Sequence, residues 1–298
     1  MTVRFNIHGE LGNQMFQWAT GISYSRSTSK TVKFKTLPGF ANRLNEFASI
    51  NSYAHFGDIT VKLGNFPKLK SRFFSYLRHL PNPFYFDEKH LNYQDLARIR
   101  ARVFHGYFQS WRYFHEIKDE ITADFALIHE SQNYLDHIAA LPQDFTAIHI
   151  RRGGSGASIL TENYHGLLDA DYYSRAISLN ELLGGSTNYI VFTDNPDLAS
   201  LTLKELGLKP LKIVGPQDTS SQIENLHIMA HATSFIGANS SYSWWAAYLA
   251  KNLKTPPIFP RQWYMDPNIS NNDMLPPDWI SIGFTKFQNE ENYRGINV

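Results

Sequence analysis

The chain has 298 residues, 43% hydrophobic and 18% charged, with 28 Lys and Arg against 27 Asp and Glu. That length is enough for two domains with a sizeable core, and a net charge of +1 gives no general field for a polyanion, which excludes nucleic acid as a primary partner. There are no cysteines, so disulfides and thiolate metal sites are excluded.

Taken in chain order, residues 3–7 (VRFNI) alternate as a half-buried strand does. The start MTVRFNIHGELGNQ lacks the pattern of a signal peptide, and no apolar run approaches a membrane span. The expectation is a cytoplasmic protein, at most peripheral to the inner membrane. HGELGN reads as a turn, QMFQWATGISYSRS as a helix and TVKF as a second strand, a βαβ opening. Residues 36–100 carry short aromatic and basic segments such as FPKLKSRFFSYLRHLPNPF, read as a solvated helix surface or as a patch facing a membrane or an acidic acceptor.

From residue 145 the pattern is regular. FTAIHI, YIVFTDN, LKIVG, TSFIGA and PPIFP read as strands, with helical segments such as DYYSRAISLNELL and PDLASLTLKEL between them. Such alternation predicts a parallel, doubly wound sheet, in which ligands bind beyond the carboxyl ends of the strands. The division expected is an N-terminal α/β domain over 1–140, a Rossmann-like domain over 141–262, and a tail, 263–298, packing back on the first domain.

The polar strand ends carry the chemistry. Arg151 and Arg152 follow FTAIHI, and guanidinium groups form forked, charge-assisted bonds to phosphate. Asn239, Ser240 and Ser241 end another strand and open the helix SYSWWAAYLA, whose N-terminus offers free amides. Together they suit a diphosphate; singly they read as a basic turn and a serine cap. GELGNQMFQ is neither GxGxxG nor a P-loop, so Gly12, Asn13 and Gln14 are assigned to a tight turn lining a cleft. The DAD at 169–171 precedes a helix and reads as a cap rather than a metal motif. The twelve histidines show no metal spacing, so no metal cofactor is expected.

GELGNQMFQWA, GYFQSWRYF at 106–114, HIRRGG, VFTDNPD at 191–197 and GANSSYSWWAAYL at 237–249 occur in order. They resemble segments shared by bacterial and animal α-1,2-fucosyltransferases, over residues 7 to about 263. The resemblance implies an inverting, metal-independent enzyme with two facing Rossmann-like domains (GT-B type), moving L-fucose from GDP-β-L-fucose to the 2-hydroxyl of a galactoside-terminated acceptor in surface glycans such as O-antigen. It further implies Arg151 as the principal diphosphate ligand and Arg152 as support for the loop or the base. Ser240 and Ser241 would contact the β-phosphate; His149, Asp194, Asn195 and Asn239 would line the donor site. Another nucleotide sugar or acceptor linkage, or a non-catalytic sugar-binding homologue, are the alternatives.

Two positions depart from that pattern. Gly154 stands where the family's arginine motif carries aspartate, and Asn225, beside Glu224, stands where a second aspartate helps read guanine. A carboxylate from 162–171, or Glu224, is therefore expected to orient the arginine pair. Glu162 is the first choice as catalytic base, with His165, Asp169 and Asp171 as alternatives.

Overall fold

The computed structural model describes residues 2–47, 50, 84–89, 92–153, 165–219, 221–266, 269, 272–283 and 287–288. Gly154, Glu162 and the basic stretch 66–83 lie outside them. Two compact units divide the chain, residues 1–126 and 127–298.

In the first unit, strand β1 (Thr2–Ile7) leads into helix α1 (Leu11–Thr28) and strand β2 (Thr31–Thr36), the expected βαβ opening; β3 (Tyr85–Asp87), β4 (Val103–His105) and helix α2 (Lys118–Asp124) follow. The strands run parallel in the order β2-β1-β4-β3. Alternation puts Val3, Phe5 and Ile7 in the core, where Phe5 stacks on Phe104 with centroids 4.8 Å apart. Trp18 buries its ring on Phe34 and donates its indole N–H to Asp124, 2.9 Å away, fixing the end of α2. Burial, above all, raises the pKa of that Asp124 carboxyl.

The second unit contains α3 (Gln132–Ala139), β5 (Thr146–Ile150), β6 (Leu167–Leu168), α4 (Ala170–Leu182), β7 (Tyr189–Thr193), α5 (Pro196–Leu206), β8 (Lys212–Val214), α6 (Gln222–Met229), β9 (Ser234–Ile236), α7 (Ser241–Leu249), β10 (Ile258–Pro260), β11 (Ile280–Ile282) and β12 (Phe287–Gln288). Six strands form a parallel sheet in the order β11-β10-β9-β5-β7-β8, and β12 pairs antiparallel with β6. Each unit is thus a parallel sheet with helices, the architecture expected. β5 and β7 are buried at every position, which is why they read as continuous apolar runs rather than alternating ones. Local signals set the helix starts: Asp169 accepts from Tyr172 N–H, Ser221 from Glu224 N–H, and Asn195 from Leu198 N–H with Pro196 behind it.

The tail corrects one expectation. Its described part joins the second unit, because its apolar groups are used there. β11 extends the sheet beyond β10, Trp279 stacks on Phe259 at 4.9 Å, and the Met274 carbonyl takes the indole N–H of Trp244. The first unit also ends earlier than expected, at Ala126. The 131–139 segment is tied to the second unit by the Ser131 N–H, which donates to Glu224, and by the Asn133 amide on the Asp218 carbonyl.

Candidate functional site

From β5 the chain steps outward through β7 to β8, then returns to lay β9 on the other flank of β5. The order reverses between β5 and β9, and such a reversal opens a crevice at the carboxyl ends of the two strands. β5 ends into Arg151, Arg152 and Gly153; β9 ends into Gly237, Ala238, Asn239 and Ser240. The two motifs singled out in the sequence therefore flank the switch point, and Asp194 with Asn195 follows the adjacent strand β7.

The two arginines separate by role. Arg152 is 1% exposed and turned into the fold. Its guanidinium donates to Thr202 Oγ1, to the Leu168 carbonyl at 2.9 Å and to the Arg151 carbonyl at 3.3 Å, while its backbone N–H donates to Asp194 Oδ1 at 2.6 Å. A hydroxyl and two carbonyls hold the buried cation. Asp169 instead caps α4, Asp171 pairs with Arg175 one turn on, and Glu224 Oε1 takes the Ser131 N–H. Arg152 is thus turned into the fold, whereas Arg151 is half-buried at the carboxyl end of β5. Burial, chiefly, lowers the pKa of His149 and His165, and the Arg151 charge adds to that lowering.

Asn239 also works inside the fold. Its amide N–H groups donate to the His165 carbonyl at 2.7 Å and to the Gly166 and Trp263 carbonyls, clamping two loops at the crevice rim. Ser243 donates to the Ala238 and Ser240 carbonyls, and the Ser240 side chain makes no cap bond at the start of α7. Trp244 and Trp245 of SWWAA are wholly buried and anchor α7 as core. A Cβ at Gly237 would fall 2.0 Å from the Phe259 ring, which accounts for glycine at the end of β9. At the end of β8, Asn225 donates to the Gly215 carbonyl at 3.2 Å, and its buried Oδ1 has no hydrogen-bond partner among the described residues.

In the first unit, Gln14 is fully buried and fully used: its amide donates to the Gly9 and Ala41 carbonyls and accepts from Arg43 N–H. Gly12 is buried within α1. Of the three residues assigned to a cleft, Asn13 alone is partly open, its Oδ1 accepting from Gln109 at 2.7 Å. Thr202 and Leu168, which hold Arg152, carried no signal in the sequence, since both sit in segments patterned for ordinary core packing.

Three histidines, His8, His149 and His165, are held down to pKa values of about 4. Burial is the main cause in each case; the charge of His105 adds to it at His8, and that of Arg151 at His149 and His165, while Asp194 opposes it at His149. Below pH about 6.5 the unfolded chain protonates such rings and the folded chain does not, so their contribution is present above that pH and is lost as pH falls toward 4. His149→Asn is expected to flatten the acid side of the stability–pH curve by one proton's slope, about 1.4 kcal/mol per pH unit. Chemical denaturation between pH 6.5 and 4 measures it, and parallel curves for the two proteins refute it.

Among the described residues, no helix is long and apolar enough to cross a membrane. A family model described as glycosyl transferase family 11 matches residues 2–283. The chain belongs to glycosyl transferase family 11. Among family relatives it is 25% identical over 292 residues to an Escherichia coli alpha-1,2-colitosyltransferase, covering 92% of this chain and 96% of that protein. It is 31% identical over 138 residues to the Escherichia coli O-antigen biosynthesis glycosyltransferase WbnK, covering 46% and 44%. A solved structure of POFUT1 in complex with GDP aligns at a TM-score of 0.45 and 14% identity, over 87% of this chain and 97% of that one, too loosely to bear on any residue's role. As a family 11 member the protein is a glycosyltransferase, and the switch-point crevice is its candidate donor site.

Proposed function

We propose that this glycosyltransferase moves L-fucose from GDP-β-L-fucose to the 2-hydroxyl of a terminal galactoside, with inversion, in the building of a surface glycan. The observation that carries the reading is the placement of a half-buried Arg151 and the serine-led N-terminus of α7 on the two sides of the β5/β9 reversal. Arg151 would fork onto the donor diphosphate, and the α7 amides with Ser240 and Ser241 would take the β-phosphate. Charge grows on the diphosphate as the sugar–oxygen bond breaks, and these groups are preorganised to offset it. They supply that positive charge without a divalent ion, so turnover in this reading needs none. Asp194 and His149 would border the nucleotide, and Asn225, whose buried Oδ1 has no hydrogen-bond partner among the described residues, would turn that oxygen to an N–H of guanine.

A second reading keeps the site and changes the sugar. The full-length relative is a colitosyltransferase, and colitose is fucose without its 3-hydroxyl. A pocket that hydrogen-bonds the 3-hydroxyl rejects the sugar lacking it strongly, whereas an apolar pocket discriminates only weakly. Initial rates with GDP-fucose and GDP-colitose on lactose and N-acetyllactosamine, with linkage analysis of the product, separate the two. A kcat/KM favouring GDP-fucose by tenfold or more, with an α-1,2 product, is expected; a preference for GDP-colitose, or another linkage, overturns the reading.

A further inference from the structure

The net charge of +1 hides a division. Residues 1–126 carry 17 Lys and Arg against 10 Asp and Glu, a net charge of +7. Residues 127–298 carry 11 against 17, a net charge of −6. Such asymmetry between the halves of one chain suits the basic half to a polyanionic surface. The donor site proposed above lies in the acidic unit, so it does not account for the excess.

Within the basic unit, part of that excess is ordered into a row. After the short turn Leu96–Arg98 the chain runs extended, with Ile99 at φ −86° and ψ 124°, and leads into β4. Successive side chains on an extended chain point to opposite sides, and exposure alternates accordingly. Arg98, Arg100 and Arg102 are exposed, Ile99 is half-buried and Ala101 is buried. Three guanidinium groups therefore leave one side of a five-residue run. Its far end is pinned: the Phe84 carbonyl accepts the Arg102 N–H at 2.8 Å and the Val103 N–H at 3.0 Å, and the Arg102 carbonyl accepts the Arg4 N–H at 2.8 Å. These bonds set the Phe84 ring, 53% exposed, beside the row, with the Arg102 guanidinium 5.1 Å above it. Asp95 pairs with Arg98 at 2.9 Å, both side chains being largely in solvent. Asp87 and Glu88 stand at the other end of β3, and Glu88 turns inward to accept the Tyr107 and Phe108 N–H groups.

We propose that the Arg98–Arg100–Arg102 row, with Phe84 beside it, is a docking face for an anionic lipid surface. The arginines fork onto lipid phosphates, and the phenyl ring enters the boundary between headgroups and acyl chains. The second unit, at −6, is repelled by the same surface, so the first unit is the one that meets it. Arginines also bind nucleic acid, but there an exposed ring serves by stacking on bases, and Arg102 already covers one face of Phe84. The ring edge suits lipid better. This face is independent of the identity of the donor.

Sedimentation of the whole chain with vesicles tests this, using about one-quarter phosphatidylglycerol in phosphatidylethanolamine against phosphatidylcholine alone, at about 0.1 M salt. Expected is partitioning at least about 10-fold stronger onto the anionic vesicles, fading as salt is raised to about 0.5 M. The triple variant Arg98→Gln, Arg100→Gln, Arg102→Gln should weaken that binding about 10²-fold, and Phe84→Ser about fivefold. Both should keep the wild-type Tm and the wild-type rate of transfer to a soluble acceptor. A control triple, Lys204→Gln, Lys209→Gln, Lys251→Gln, removes the same charge from exposed positions of the second unit and should bind within about threefold of wild type. Equal binding to both kinds of vesicle, an arginine triple that binds like wild type, or an equal loss in the lysine triple overturns the proposal. So does a short RNA duplex bound more tightly than anionic vesicles at equal phosphate.

Discussion

Arg151→Ala is expected to lower kcat/KM for the nucleotide sugar by about 10²–10³-fold while shifting Tm by no more than about 2 °C. The size follows from removing a preorganised cation where leaving-group charge develops. A neutral thermal effect follows from position: Arg151 is half-buried at the rim of the crevice, whereas the loop itself is held by Arg152, Asp194 and Asn239. Steady-state kinetics and a melting curve on the same preparation check both halves. Near-normal turnover by a folded variant removes Arg151 from the diphosphate.

The adjacent substitution should behave in the opposite way. Arg152→Ala empties a large buried volume and strips donors from Thr202 Oγ1 and the Leu168 carbonyl. A large-to-small change in a core costs about 2–5 kcal/mol, and each orphaned buried acceptor adds to it. Denaturant unfolding should show a loss of about 3–5 kcal/mol, with activity falling because folded protein is scarce. GDP affinity per folded molecule should change far less than in Arg151→Ala. If Arg152→Ala melts like wild type and loses GDP binding outright, the two roles have been exchanged.

The second unit was readable because its signals are local. Buried parallel strands write continuous apolar runs, and Asp169, Asn195 and Ser221 mark the helix starts. The polar residues at the strand ends then fall at the switch point without further argument. The pairing of HIRRGG with GANSS could be anticipated for that reason, and so could the cap at Asp169. What holds Arg152 could not: Thr202 lies 50 residues away, in the middle of a helix, and nothing in its neighbourhood marks it. Around the Arg152 guanidinium, the described hydrogen-bond partners are a hydroxyl and two carbonyls; Glu162, the first-choice carboxylate, lies outside the described residues.

Gln14 and Asn239 were misread for a related reason. A polar residue in a strand-to-helix turn looks the same in sequence whether it faces a ligand or ties backbone together, and both tie backbone. In the first unit the gap was wider. β3 and β4 are three residues each, too short for a period to register, and Glu88 gains its partners from a turn 19 and 20 residues downstream. The sixth strand of the second sheet, Ile280–Ile282, is as short and was taken for part of a tail.

The central claim is that the β5/β9 crevice grips a diphosphate through Arg151. Calorimetric titration of wild type and Arg151→Ala with both GDP and guanosine tests it most directly. The account predicts that the substitution weakens GDP by about 10²-fold or more, as expected for a lost forked, charge-assisted contact, and leaves guanosine affinity unchanged. Equal losses for both ligands, or none for GDP, would contradict it.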